Sequence, residues 1–281
     1  MAETAALSYS AQQVRVSDPD RFLTALFAPA EARENLFALY AFNLEVARIP
    51  ELVHEPMMGQ IRLQWWRERL DEIYAGQPRD GAETPQALAA AIAAGDLPRA
   101  SFDILLDARE RDLDPTPPAD MAAFQAYAQA TAGELAMLAA RILGATDDAS
   151  LAAARNVGTA WAMIGHLRAL AFNAGMGRMT LPRSTMGQST AADVLKDRAT
   201  EAVRATAQAV GAEAAALIGV ARALRREVDR RALPALLLAP LADLHLRKLR
   251  NRHFNPLGPD LEIARPRKQM TLFLSALRGC Y

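Results

Sequence analysis

The run Leu36-Phe37-Ala38-Leu39-Tyr40-Ala41-Phe42-Asn43-Leu44-Glu45-Val46 decides how the rest of the chain is read. Its large apolar side chains (Leu36, Phe37, Leu39, Tyr40, Phe42, Leu44 and Val46) cover most of the circumference of a helix rather than one stripe. A helix that is apolar nearly all round must lie deep in a fold, enclosed by other elements. Upstream, Ser17-Asp18-Pro19-Asp20 caps a helix starting near Arg21, and Pro29 at a first-turn position restarts the chain at Ala30. Downstream, Pro50 breaks or bends the helix.

The enclosing elements are also helical. Alanine, the best helix former, occurs 60 times in 281 residues, and Val, Ile, Thr and Tyr are sparse. Met57 to Ala75 reads as a helix with Leu63, Trp66, Leu70 and Ile73 on one face, which puts Trp66 inside and Trp65 nearer a rim. Thr84-Pro85 and Leu97-Pro98 open two more, the second running to about Leu113. Pro115 to Pro118 is a rigid connector. Ala119 to Leu143, Ser150 to Asn173, Asp197 to Arg231, Leu233 to about Arg250 and Arg267 to Leu277 complete the set. No alternating strand pattern of useful length appears. Length alone allows two domains. No shift in composition marks a boundary, so one all-α domain over residues 1–281 is expected, with 1–17 as an N-terminal extension.

Charge and cysteine narrow the function classes. Lys plus Arg balances Asp plus Glu at 32 each, which argues against nucleic acid as a partner. The segment from Leu244 to Tyr281 is nonetheless basic, with eight Lys or Arg against Asp260 and Glu262, and could face phosphate, anionic lipid, an acidic partner or simply solvent. Cys280 is the sole cysteine, so no intrachain disulfide or cysteine-based metal cluster can form. The N-terminus shows no secretory pattern and no apolar window is long enough to span a bilayer. A cytoplasmic protein, peripheral at a membrane, is the expected setting.

Few residues suggest chemistry by themselves. Glu51 and Glu55 are four apart, with His54 between them, and would share a face if the helix continued. Such a pair could hold Mg²⁺ against a diphosphate, and is equally what a solvated helix face offers. His166 and Arg168 interrupt the apolar series Trp161, Met163, Ile164, Leu167 and Leu170, and Arg is rarely buried unpaired. His245 and His253 belong to no ligand cluster, and no glycine-rich phosphate loop or serine elbow is present.

An ordered series of segments resembles the squalene/phytoene synthase family. It runs through Asp20-Arg21-Phe22-Leu23, Leu39-Tyr40-Ala41-Phe42, Arg48 and Ile61-Arg62-Leu63-Gln64-Trp65-Trp66. It continues through Tyr127 with Ala132-Gly133, Gly177-Arg178-Met179-Thr180-Leu181-Pro182 and Leu233-Pro234-Ala235. The resemblance implies a trans-isoprenoid-synthase fold, with helices around a central apolar cavity that holds prenyl diphosphates in active members. Those members carry two Asp-rich motifs on facing helices, because ionising an allylic diphosphate needs its charge neutralised by Mg²⁺.

Carried onto this chain, the outer positions of the first motif fall on Glu51 and Glu55 and an inner one on Leu52. Those of the second fall on Ala169 and Asn173, with Phe172 between. Even changes around a metal's ligands cost about 10–100-fold, so losing several ligands should abolish Mg²⁺-assisted ionisation. A degenerate branch of the family, which includes respiratory complex I assembly factors, is similar in Arg62-Leu63-Gln64-Trp65-Trp66 and His166-Leu167-Arg168-Ala169. The resemblance thus implies an inactive protein without a metal cofactor. It would bind a prenyl or lipid ligand through Arg48, Arg62, Arg168 and Tyr127 and assist a membrane respiratory complex. The alternative is an active Mg²⁺-dependent prenyltransferase joining two prenyl diphosphates, with Glu51, Glu55 and Asn173 as ligands. A purely structural role for the three arginines would be pairing with Glu45, Glu51, Glu55 or Glu68.

Overall fold

The Ala30–Ala47 helix lies where its side chains require. Leu36, Phe37, Leu39, Tyr40, Phe42 and Val46 are buried, and Leu44 alone of the apolar series is half-buried. The computed structural model describes residues 7–53, 55–78, 81–196, 199–257 and 261–281; His54, Asp197 and Asp260 lie outside them. Among the described residues there is no strand. The chain folds as a single all-α domain.

Two apolar cores share one helix. The first gathers around Ala30–Ala47, against Tyr9–Ser17, Pro56–Tyr74, Glu83–Gly95 and Arg99–Glu110. The second gathers around Asp148–Arg168, against Glu201–Ala223 and Leu238–Asn251. The Glu134–Ile142 helix joins them by giving Leu135, Leu138 and Ala139 to the first and Ala136 and Ala140 to the second. Residues 9–17 pack against the first core and bury Ala11 and Val14 completely.

Local chemistry sets the helix ends. Asp18 caps Pro19–Ala25, its carboxylate accepting from the Arg21 amide at 3.0 Å. Four expected helices are corrected. Ala119–Leu143 divides into Met121–Ala128, a π-helical turn over Gln129–Gly133, and Glu134–Ile142. Ser150–Asn173 breaks at Ala169 into Asp148–Arg168 and Leu170–Gly175. The long helix ends at Ala223, because the polar run beyond Leu224 has no apolar face to bury. Leu233–Arg250 divides at Leu237, since Pro240 has no N–H to offer the Leu236 carbonyl four residues back.

Candidate functional site

Two concavities flank the Ala30–Ala47 helix, one facing into the bundle and one facing out. The inner cavity, about 230 Å³, lies where the Asp148–Arg168 helix crosses the π-helical turn. The crossing is close because residue 158 is glycine: a Cβ there would meet the Ala132 carbonyl oxygen and approach the Ala136 Cβ to 2.7 Å. The π-turn, with one residue more per turn, opens room beside it for Thr131. Asn43, Arg109, Tyr127, Trp161, His166, Ala169 and Asn173 complete most of the lining.

Most polar groups here bond to one another, although Asn43 Oδ1 and Arg109 Nε are buried without a hydrogen-bond partner. The Tyr127 hydroxyl donates to Asp112 Oδ2 at 2.9 Å and accepts from Arg109 Nη1 at 2.8 Å. Arg109 also pairs with Asp112 at 3.1 Å, and Arg178 donates to the Asp112 carbonyl. Desolvation raises the Tyr127 pKa, so the phenol stays protonated. His166 stacks edge-on against Tyr127 and Phe124. Desolvation pushes its pKa down to about 4, only partly opposed by Asp112, and the ring is neutral at pH 7.

The second-motif positions reach this cavity. Ala169 and Asn173 both line it, with Asn173 Nδ2 3.5 Å from Thr180 Oγ1, while Phe172 points out and is 59% exposed. The first-motif positions do not. Pro50 opens a helix of only four residues, Ile49–Leu52, after which Val53 and Glu55 are extended. Glu51 and Glu55 therefore share no helical face, and the i, i+4 reading is corrected. Glu51 is exposed, with one oxygen 3.9 Å from Arg48 Nε. Glu55 lines a separate recess of about 190 Å³ with Asp112 and Arg178.

Mg²⁺ takes hard oxygen donors, carboxylates above all. The lining of the inner cavity offers none among the described residues, only the Asn43 and Asn173 amide oxygens and the Tyr127 and Thr131 hydroxyls. No group of three or more His, Cys, Asp or Glu is placed to hold a metal among those residues. The donor set does not fit the metal cluster that the resemblance implies for active members.

The four expected ligand-binding residues part company. Tyr127 is in the inner cavity. Arg168 lines none of the described cavities; its guanidinium lies over the Trp161 ring, 5.4 Å from the centroid, and sits 3.5 Å from both Asp20 and Glu262. Its pairing role is thus fulfilled by partners other than Glu45, Glu51, Glu55 or Glu68. Asp20 is also bound by Lys268 at 2.7 Å, with both side chains buried. The sequence marks Asp20 only within a capping run and a family-like segment, and gives no sign of its pairing with Lys268, one of only three lysines.

Arg48 and Arg62 meet in the outer concavity, a groove of about 620 Å³ walled by Tyr9–Ser17, Ala30–Ala47 and Pro56–Tyr74. Its apolar surface comes from Leu44, Ile49, Leu52, Ile61 and the two adjacent tryptophans. Trp66 is buried at 3% exposure and Trp65 is at the rim at 39%, as their helix positions predict.

This arrangement of helices defines the class. The squalene/phytoene synthase family model matches residues 14–272, and the chain belongs to that family. It is 28% identical over 277 residues to bovine (Bos taurus) NADH dehydrogenase (ubiquinone) complex I, assembly factor 6, a match covering 97% of this chain and 82% of the relative. It is 27% identical over 160 residues to the presqualene diphosphate synthase of Sinorhizobium fredii, covering 56% of each chain. Squalene synthase HpnC from Alicyclobacillus acidocaldarius shares the fold, with a TM-score of 0.76 at 24% identity over 88% of this chain and 94% of that one.

Proposed function

We propose that this chain is a non-catalytic squalene/phytoene synthase-like protein that assists assembly of a respiratory membrane complex. The observation that carries the reading is the carboxylate-free lining of the inner cavity, where the second metal motif is reduced to Ala169 and Asn173. Similarity to complex I assembly factor 6 over nearly the whole chain supports the assembly role.

The C-terminal helix supports work at a membrane surface. In Arg265–Arg278 the residues Met270, Phe273, Leu274 and Leu277 form an i, i+3, i+4, i+7 stripe that faces outward, at 59, 56, 37 and 73% exposure. A helix of a soluble fold normally turns such a stripe inward. This one carries Arg265, Arg267 and Arg278 and no acidic residue, the pattern of a helix that lies in an anionic lipid interface. Among the described residues no helix is long and apolar enough to cross a membrane.

Incubation of the purified chain with farnesyl or geranylgeranyl diphosphate and Mg²⁺ tests the catalytic half. No pyrophosphate release is expected. Release that disappears in Glu51→Ala or Glu55→Ala would establish the prenyltransferase alternative instead. For the assembly half, cells lacking the chain should accumulate less complete complex I on native gels. The double variant Glu51→Ala/Glu55→Ala should restore it as fully as the wild type.

A further inference from the structure

The outer groove lies apart from Ala169 and Asn173, is larger than the inner cavity, and has an unfinished surface. Leu52, Ile61 and Trp65 line it at 57, 55 and 39% exposure, and neighbouring Met57 and Met58 are exposed as well. We propose that this groove binds a single-chain anionic lipid, with the chain laid on Leu44, Leu52, Ile61 and Trp65 and the head held by Arg48 and Arg62.

Charge argues for the head group. Among the described residues Arg62 has no carboxylate within ion-pair distance, and Arg48 has only Glu51 at the 3.9 Å limit. Elsewhere in the fold arginines such as Arg67, Arg99, Arg109 and Arg155 are closely paired. Glu45, the carboxylate within the groove, accepts a hydrogen bond from the Thr84 hydroxyl.

Size argues for a lipid rather than a polypeptide. About 620 Å³ lies within the range of small-molecule pockets. The Trp65 and Trp66 indoles meet edge to face, centroids 5.1 Å apart and planes at 82°, so the exposed ring of Trp65 is the aromatic surface offered to a methylene chain. This binding is independent of whether the chain transfers prenyl groups.

The protein contains three tryptophans, Trp65, Trp66 and Trp161, so bromine quenching can locate the ligand. Delipidated full-length protein is titrated with 9,10-dibromostearate and its tryptophan emission followed. Saturable quenching is expected, kept in Trp161→Phe and largely lost in Trp65→Phe. Arg48→Glu and Arg62→Glu should each weaken binding about tenfold, the loss expected for one hydrogen bond to a charged group. The uncharged methyl ester should bind correspondingly worse. Circular dichroism and urea midpoints of both arginine variants should match the wild type, since both side chains are exposed. Absence of saturable quenching overturns the proposal. So does equal affinity for the acid, its ester and the arginine variants. Quenching that survives in Trp65→Phe but vanishes in Trp161→Phe moves the lipid to the inner cavity and overturns it as well.

Discussion

The inside of the bundle and its outward faces treat charge in opposite ways. Beside the inner cavity Asp112 is shared by Arg109, Tyr127 and Arg178, and elsewhere in the interior Asp20 is shared by Lys268 and Arg168. These groups are spent on one another. On the outer groove and the C-terminal helix, arginines stand beside exposed apolar side chains and few acids answer them. The interior side chains named here pair mainly with one another, while the surface leaves arginines and apolar side chains open together.

The largest effect should come from breaking the interior pairing. Lys268→Ala leaves Asp20 buried with only the more distant Arg168, and removing one partner of a buried pair typically costs about 3–5 kcal/mol. A loss near the lower end is expected in urea unfolding, because Arg168 remains. The double variant Asp20→Asn/Lys268→Met should recover most of it. If Lys268→Ala costs no more than a surface change, the interior is not the closed system described here.

A second test uses pH. His245 is buried against Trp161, and both ring nitrogens lack a hydrogen-bond partner. Burial first, then Arg168, Lys268 and Lys248, push its pKa down to about 3. Unfolded, the ring binds a proton below its ordinary pKa of 6.5; folded, it stays neutral to about 3. The unfolded state therefore holds more protons in that window, and stability falls as pH drops from 6.5 toward 3. By pH 5 the loss from this one group should be about 2 kcal/mol. His245→Phe should remove that part of the slope while leaving stability at pH 8 within about 1 kcal/mol. His166 should contribute in the same direction but less, because it faces two cavities and has Asp112 nearby.

Much of this contrast was legible in the residues and some of it was not. The helices around Pro29, Pro50 and Gly76, and the division of Trp66 from Trp65, follow from local spacing, which short-range physics sets. Ala169 and Asn173 fall on the cavity because the loop to Pro182 fixes the register. The π-turn was hidden, because it answers a tertiary contact at Gly158. The partners of Arg168 were hidden for the same reason: Asp20 is 148 residues away, and it resembled a helix cap until Asp18 was seen to do the capping. The helical spacing of Glu51 and Glu55 misled, because Pro50 reset the chain and Val53 left the helix.

The smallest effect on stability should accompany a large effect on location. Phe273 and Leu277 sit on the exposed stripe of Arg265–Arg278, whereas Lys268 and Leu272 on the opposite face are buried. Replacing both exposed residues by serine removes apolar surface that touches water already, so the unfolding free energy should move by no more than about 0.5 kcal/mol. On vesicles containing anionic phospholipid the same variant should sediment markedly less than the wild type. Raising the salt should weaken the wild type too, since its arginines supply the electrostatic part of the attraction. Neutral vesicles should retain little of either protein. If the double variant instead unfolds as readily as Lys268→Ala, the stripe is a packing surface, and the difference between a closed interior and an open periphery loses its clearest example.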